Sequence, residues 1–139
     1  MIIEDCPVMT AMYETMLAER GSCESAATAK EAISLLKTKS FDLVLLDHHL
    51  PDATGLQLCK SIRRQFSQRV LPIIIITGTN DRQLEQQFWE AQCSDFVTKP
   101  FEASTLRHRV ASHVKLKLAF DLLHKLSNQD ENQAMLFSR

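Results

Sequence analysis

Short apolar runs alternate along the chain with segments whose apolar positions recur every three or four residues. The runs are Met1-Ile2-Ile3, a weak serine- and alanine-rich stretch from Cys23 to Ala27, Phe41 to Leu46, Ile73 to Ile76, and Phe96-Val97. Ile73 to Ile76 is β-branched throughout, as in a parallel strand covered on both faces. Between the runs lie helices. Pro7 suits a first helical position, Val8, Met12 and Met16 recur at four-residue spacing, and Gly21 stops that helix. Lys30 to Lys39 predicts a second helix with Ala32, Ile33 and Leu36 inward. After a loop with Pro51 and Gly55, a third carries Leu56, Cys59, Ile62 and Phe66. Asp81 to Ala91 sets Leu84, Phe88 and Ala91 on one side, and a long helix begins at Glu102. Five strand–helix alternations predict an α/β fold, a doubly wound parallel sheet between helices.

Ligands in such sheets sit at the carboxyl ends of the strands. Those ends are polar here: Glu4-Asp5 after the first strand, Asp47 after the third, Thr77 after the fourth, and Thr98-Lys99-Pro100 after the fifth. Parallel strands bring them to one edge. Like-charged carboxylates cannot crowd together unpaired, and Mg²⁺, which takes a few oxygens plus water, resolves the repulsion. A carboxylate beside such a cation can attack phosphorus, while Lys99, the Thr77 hydroxyl and nearby backbone N–H groups neutralise the transferred phosphoryl oxygens. Other readings exist for single residues: Glu4 and Asp5 as caps of the first helix, Lys99 as a solvated lysine, Thr77 as a plain strand-end threonine. Pro100 and Phe101 after Lys99 favour an inward ammonium.

The ordered set of Glu4-Asp5, Asp47, Leu50-Pro51-Asp52 with Gly55, Thr77 thirty residues after Asp47, and Lys99-Pro100 twenty-two after Thr77 carries a resemblance. Over about Met1 to His113 the sequence resembles the receiver (CheY-like) domain of two-component response regulators. The resemblance implies a flavodoxin-like five-stranded sheet in the order 2-1-3-4-5. It implies that Asp47 accepts a phosphoryl group from a sensor histidine kinase or phosphotransfer protein. Asp5 and Asp47 would bind Mg²⁺ directly, the backbone carbonyl of His49 would join them, and Glu4 would act through water. Thr77 would be the switch hydroxyl and Phe96 the switch aromatic, in place of the commoner tyrosine. The Lys99-Pro100 bond would be cis. The signal would alter the surface of the fourth helix, fifth strand and fifth helix.

His48 and His49 invite a metal-site reading, but neighbouring side chains point different ways and Mg²⁺ prefers oxygen to imidazole. His49, two past Asp47, and Thr79, two past Thr77, flank the path of the hydrolytic water in the family, so both are expected to tune dephosphorylation. His48 has no assigned role. His108, His113 and His124 share no metal spacing and read as solvated or half-buried. The four cysteines are 17, 36 and 34 residues apart with no CxxC pair, which fits free thiols in a reducing compartment. A net charge of −1 gives no basic nucleic-acid footprint, and no apolar run reaches membrane-span length. A cytoplasmic protein that binds neither nucleic acid nor membrane directly is expected.

Three features depart from the family. The first strand has only three residues before the acids, about 10 Å, so Met1 reads as a late start or a cloned boundary. Gln92-Cys93 stands where receivers usually carry Gly-Ala, and Gln92 must bear φ > 0 or end the helix otherwise. Lastly, Leu106, Val110, Val114, Leu118, Leu122 and Leu126 continue one stripe well past a receiver's normal end, so that Glu102 to Leu126 spans about 37 Å. Residues 1–113 are therefore expected to form the receiver and 114–139 a helical extension. Its uncovered stripe implies a homodimer or an output domain. HVKLKLAFDLLHKLS resembles the connector to GGDEF diguanylate cyclases, and DENQAMLFSR is loosely like the start of that catalytic domain. The fragment itself is expected to be no enzyme beyond its own phosphorylation and dephosphorylation, though its parent could be a diguanylate cyclase. An aspartyl phosphatase would need a second aspartate where His49 stands, and a degenerate or stand-alone receiver serving only to dimerise would not need the full set of site residues.

Overall fold

The computed structural model describes residues 1–137, with side chains through Gln129. One parallel sheet contains β1 (Ile2–Ile3), β2 (Ser25–Ala26), β3 (Val44–Asp47), β4 (Ile73–Thr77) and β5 (Asp95–Thr98). Their order is β2-β1-β3-β4-β5, as the resemblance implies. The helices are α1 (Pro7–Leu17), α2 (Ala29–Thr38), α3 (Gly55–Arg63), α4 (Arg82–Glu90) and α5 (Ala103–Phe137), with a 3₁₀ turn at Ala18–Arg20. Alternate residues of β4 divide between the layers. Ile73 and Ile75 pack with Ala29, Ala32, Leu58, Ile62 and Phe88 of α2, α3 and α4. Ile74 and Ile76 pack with Tyr13, Leu17, Leu106 and Val110 of α1 and α5. All four isoleucines are essentially fully buried, each worth about 1.5–3 kcal/mol relative to exposure. That makes β4 the spine of the domain.

Several elements differ from the sequence reading. The strand expected from Phe41 starts at Val44; Phe41 and Asp42 precede it, Phe41 packing half-buried on the core and Asp42 accepting a bond from Lys117. In α1 the inward stripe is Met9, Tyr13, Met16 and Leu17, whereas Val8 is 68% and Met12 43% exposed. The i, i+4, i+7, i+8 set buries two large side chains against the sheet, and the 8-12-16 row lies beside it. In α2, Ile33 faces outward; Ala29 and Ala32 let the helix sit close, with Leu35 and Leu36 on its flank.

Arg63 orders the corner between α4 and β5. Its Nε donates to the Gln92 carbonyl at 2.7 Å, and its two Nη atoms donate to Leu71 O at 2.7 Å and Ser94 Oγ at 3.2 Å. Gln92 adopts φ 66°, so it does bear the left-handed conformation. Its N–H donates to Trp89 O and that of Cys93 to Phe88 O, which closes α4 with a Schellman motif.

The fifth helix is tied down along its first half. Leu106 and Val110 are buried, Arg109 and His113 hold Asp95 at 2.7 and 3.0 Å, and Lys117 holds Asp42 and Asp121 at 2.9 and 2.7 Å. Arg69 lies over the Phe120 ring at 5.0 Å. His113 thus has a specific partner, which its sequence position did not announce. Beyond these contacts Leu118, Leu122, Leu123 and Leu126 are exposed. Helix continues to Phe137, about 52 Å in all; Ser138 and Arg139, the end of DENQAMLFSR, lie outside the described residues. No helix among the described residues is long and apolar enough to cross a membrane.

Because Gln92 carries a conformation that suits glycine, Gln92→Gly should stabilise the domain by about 0.5–1 kcal/mol in urea denaturation, the relieved strain outweighing the added unfolded-state entropy. A loss of similar size would contradict this account of the corner.

Candidate functional site

The apolar strand β3 delivers Asp47 to the carboxyl edge of the sheet with little exposure, and there it is fully engaged. Its Oδ1 accepts the His49 backbone N–H at 2.8 Å, and its Oδ2 accepts Lys99 Nζ at 2.9 Å. Lys99 arrives from the end of β5, followed by a cis Lys99-Pro100 bond. Glu4, directly after β1, is 5% exposed. Its Oε1 accepts the Cys6 N–H at 3.1 Å, while its Oε2 is buried without a partner.

The two carboxylates share this edge unequally. Burial, then the neighbouring Asp47 carboxylate, pushes the Glu4 carboxyl up to about 8. Burial would raise the Asp47 carboxyl, but the neighbouring Glu4 and the bonds from Lys99 and the His49 N–H outweigh it and hold it below the ordinary value. The two carboxyls are thus pushed in opposite directions, Glu4 up and Asp47 down. The bond to Asp47 likewise outweighs burial at Lys99 and raises its ammonium.

Thr77 ends β4 almost fully buried, and its Oγ1 accepts the Thr79 N–H at 3.2 Å. Thr79 and His49 both reach the surface beside the edge. Asp5, next to Glu4 in the chain, is exposed where Glu4 is buried. Among the described residues no three His, Cys, Asp or Glu side chains gather as a metal cluster.

The loop after β3 is held tightly. Gly55 N donates to His48 O at 2.7 Å, and a Cβ on Gly55 would stand 2.7 Å from Asp47 O and 2.8 Å from His48 Cα. The residue is glycine because the backbone that carries Asp47 passes against it. Asp52, which follows Pro51, accepts the N–H groups of Ala29 and Lys30 at 2.8 and 3.0 Å, fastening this loop to the start of α2.

The histidines depart from the expectation for adjacent residues. The turn after β3 breaks the strand alternation, and their rings lie 4.9 Å apart. His48 stands edge-on to Phe88 at 5.3 Å, and Phe88 touches Phe96 at 5.7 Å. His48, without a role in the sequence reading, starts an aromatic row that ends at Phe96.

A protein-family model described as the response regulator receiver domain matches residues 1–111. The chain belongs to the response regulator receiver family. It is 34% identical over 118 residues to the response regulator protein PilR of Pseudomonas aeruginosa, covering 84% of this chain and 26% of that protein. It is 28% identical over 135 residues to a probable cyclic di-GMP phosphodiesterase of Vibrio cholerae, covering 97% of this chain and 31% of the relative. The solved structure of a probable two-component system response regulator/GGDEF domain protein superposes with a TM-score of 0.77 at 25% identity, over 84% of this chain and 48% of that one. This receiver thus spans under a third of the length of these two curated relatives.

Glu4, Asp47, Thr77 and Lys99 stand at the strand ends where the sequence put them, whereas Tyr13, with a buried unpaired hydroxyl, was not singled out. Its only signal was a tyrosine in an apolar stripe, and the stripe was placed one position away. Since Gly55 abuts the backbone of Asp47, Gly55→Ala should cost about 1–3 kcal/mol of stability through overpacking, seen in urea denaturation. An unchanged midpoint would show that the loop can yield.

Proposed function

We propose that this receiver is a phosphorylation-switched signalling module in which Asp47 is the phosphoacceptor. The observation that carries the reading is that Asp47 is nearly buried and held by Lys99 at 2.9 Å, at the sheet edge where the strand ends converge. In the reaction an Asp47 oxygen attacks the phosphorus of a phosphohistidine on a sensor kinase or phosphotransfer protein. The O–P bond forms as the N–P bond breaks, and the imidazole leaves.

The donor set fits a divalent cation. Glu4 Oε2 is a buried oxygen without a partner, Asp47 is a carboxylate beside it, and Mg²⁺ needs only one or two carboxylates with waters. Asp5, Asp47 and the backbone carbonyl of His49 would hold it, with Glu4 acting through water; bound there, it would neutralise phosphoryl oxygens. Lys99 supplies a positive charge already at hydrogen-bond distance. Thr77 and Phe96 are the switch pair: the hydroxyl of Thr77 meets the phosphoryl group, and Phe96 carries the change to the α4-β5-α5 surface. His49 and Thr79, exposed and half-exposed beside the edge, set the lifetime of the phosphorylated state by shaping water access.

Residues 1–113 are the switching body and 114–139 the connection to an output domain. The exposed Leu122, Leu123 and Leu126 with Ala119 form an i, i+3, i+4, i+7 stripe, which supports pairing with the same helix of a second copy. The output could be a cyclic-di-GMP enzyme, by likeness to the relatives named above; this segment would then control that enzyme from the cytoplasm without catalysis of its own.

With a small acyl phosphate donor and Mg²⁺, the chain should gain one phosphoryl group by intact mass, and Asp47→Asn should abolish the gain. Labelling that survives Asp47→Asn would place the acceptor elsewhere; rapid turnover of an added phosphoester would favour a phosphatase.

A further inference from the structure

Among the described residues three polar side-chain atoms are buried without a partner: Glu4 Oε2, Tyr13 Oη and His48 Nδ1. Glu4 and His48 belong to the acidic edge and the aromatic row. Tyr13 comes from α1, in the other layer. It is 2% exposed, and its ring stacks on Phe101 with centroids 6.3 Å apart at 15°. Phe101 is two residues past Lys99, so this stack fixes the ring beside the segment that carries the ammonium.

Packing alone does not account for the hydroxyl. A phenylalanine would fill the same space and avoid burying an O–H, which costs free energy when unpaired. The stack on Phe101 sets the buried hydroxyl on the side of the sheet from which Lys99 arrives. Burial raises the hydroxyl to about 12, the Lys99 ammonium pulls it down, and Glu4 and Asp47 push it up. Tyr13 in turn favours the charged form of Lys99. The hydroxyl therefore stays neutral, with lone pairs to accept, in the field of an ammonium that has three N–H donors and spends one on Asp47 Oδ2.

We propose that Tyr13 is a positioning residue of the phosphoryl-transfer site: its hydroxyl oxygen, unpaired in the resting structure, takes an N–H of Lys99 as the ammonium turns from Asp47 toward the incoming phosphoryl group. The assignment rests on Asp47 as phosphoacceptor. When Asp47 becomes an acyl phosphate, its carboxylate charge is lost and Lys99 must turn from the carboxylate oxygen to a phosphoryl oxygen. A fixed acceptor on the α1 side lets the ammonium pivot rather than swing into water. Tyr13 touches none of the reacting atoms and acts through Lys99.

The test uses the full chain with acetyl phosphate and Mg²⁺, following phosphorylation of Asp47 by intact mass over time. Tyr13→Phe keeps the ring and its stack. It should lower the initial rate about tenfold, as expected for a lost hydrogen bond to a charged group, without lowering the thermal midpoint. In a Lys99→Ala background the same substitution should change nothing, because the hydroxyl then has no ammonium to hold. A tyrosine that served packing alone would slow both backgrounds by the same factor, and that result overturns the assignment. An unchanged rate in Tyr13→Phe overturns it too, with the phosphoacceptor reading intact. If the unsubstituted chain gains no phosphoryl group at Asp47, both fall.

Discussion

The bond from Lys99 Nζ to Asp47 Oδ2, 2.9 Å long and largely out of water, is what permits an apolar strand to end in a carboxylate. Taking Asp47 out of water costs several kcal/mol unless a partner meets it. The partner comes from the far end of β5, so the pair also fixes how β3, β4 and β5 align at their carboxyl ends. Around this pair the Glu4 carboxyl is pushed up and the Asp47 carboxyl down, so the two acids of the edge are unlike.

From this ion pair, contacts run into both helical layers. On the α2-α3-α4 side, His48, Phe88 and Phe96 form a continuous aromatic row from the residue after the acceptor to β5. On the α1-α5 side, Tyr13 and Phe101 stack beside Lys99, above Leu106 and Val110 at the root of α5. At the opposite end of β5, Asp95 grips Arg109 and His113 of the same helix. One strand therefore holds Lys99 at one end and the anchor of the long helix at the other. A displacement of β5 at the acidic edge is carried to the segment from which Leu122, Leu123 and Leu126 project.

Much of this was legible in the sequence. The five alternations, the strand order and the edge residues Glu4, Asp47, Thr77 and Lys99 follow from apolar runs ending in particular polar residues, a pattern that survives small errors of register. Helix faces are less forgiving. Val8, Met12 and Met16 form as regular a row as Met9, Tyr13 and Met16, and only the contacts of Tyr13 with Phe101 and the sheet decide between them. Long-range polar pairs leave no periodic trace: Asp95 with His113, Asp52 with the start of α2, and Arg63 with the Gln92 carbonyl each join segments that their own neighbourhoods do not connect. Exposure is no more periodic: of the adjacent acids Glu4 is buried and Asp5 exposed.

The central claim is that the Asp47–Lys99 edge receives the phosphoryl group, and a crystal structure of the chain with beryllofluoride and Mg²⁺ tests it most directly. The account predicts beryllium bonded to an Asp47 oxygen, with Lys99 Nζ moved from the carboxylate to a fluoride. An adduct on another side chain, or Lys99 still bonded to an unmodified Asp47 at saturating beryllofluoride, would contradict it.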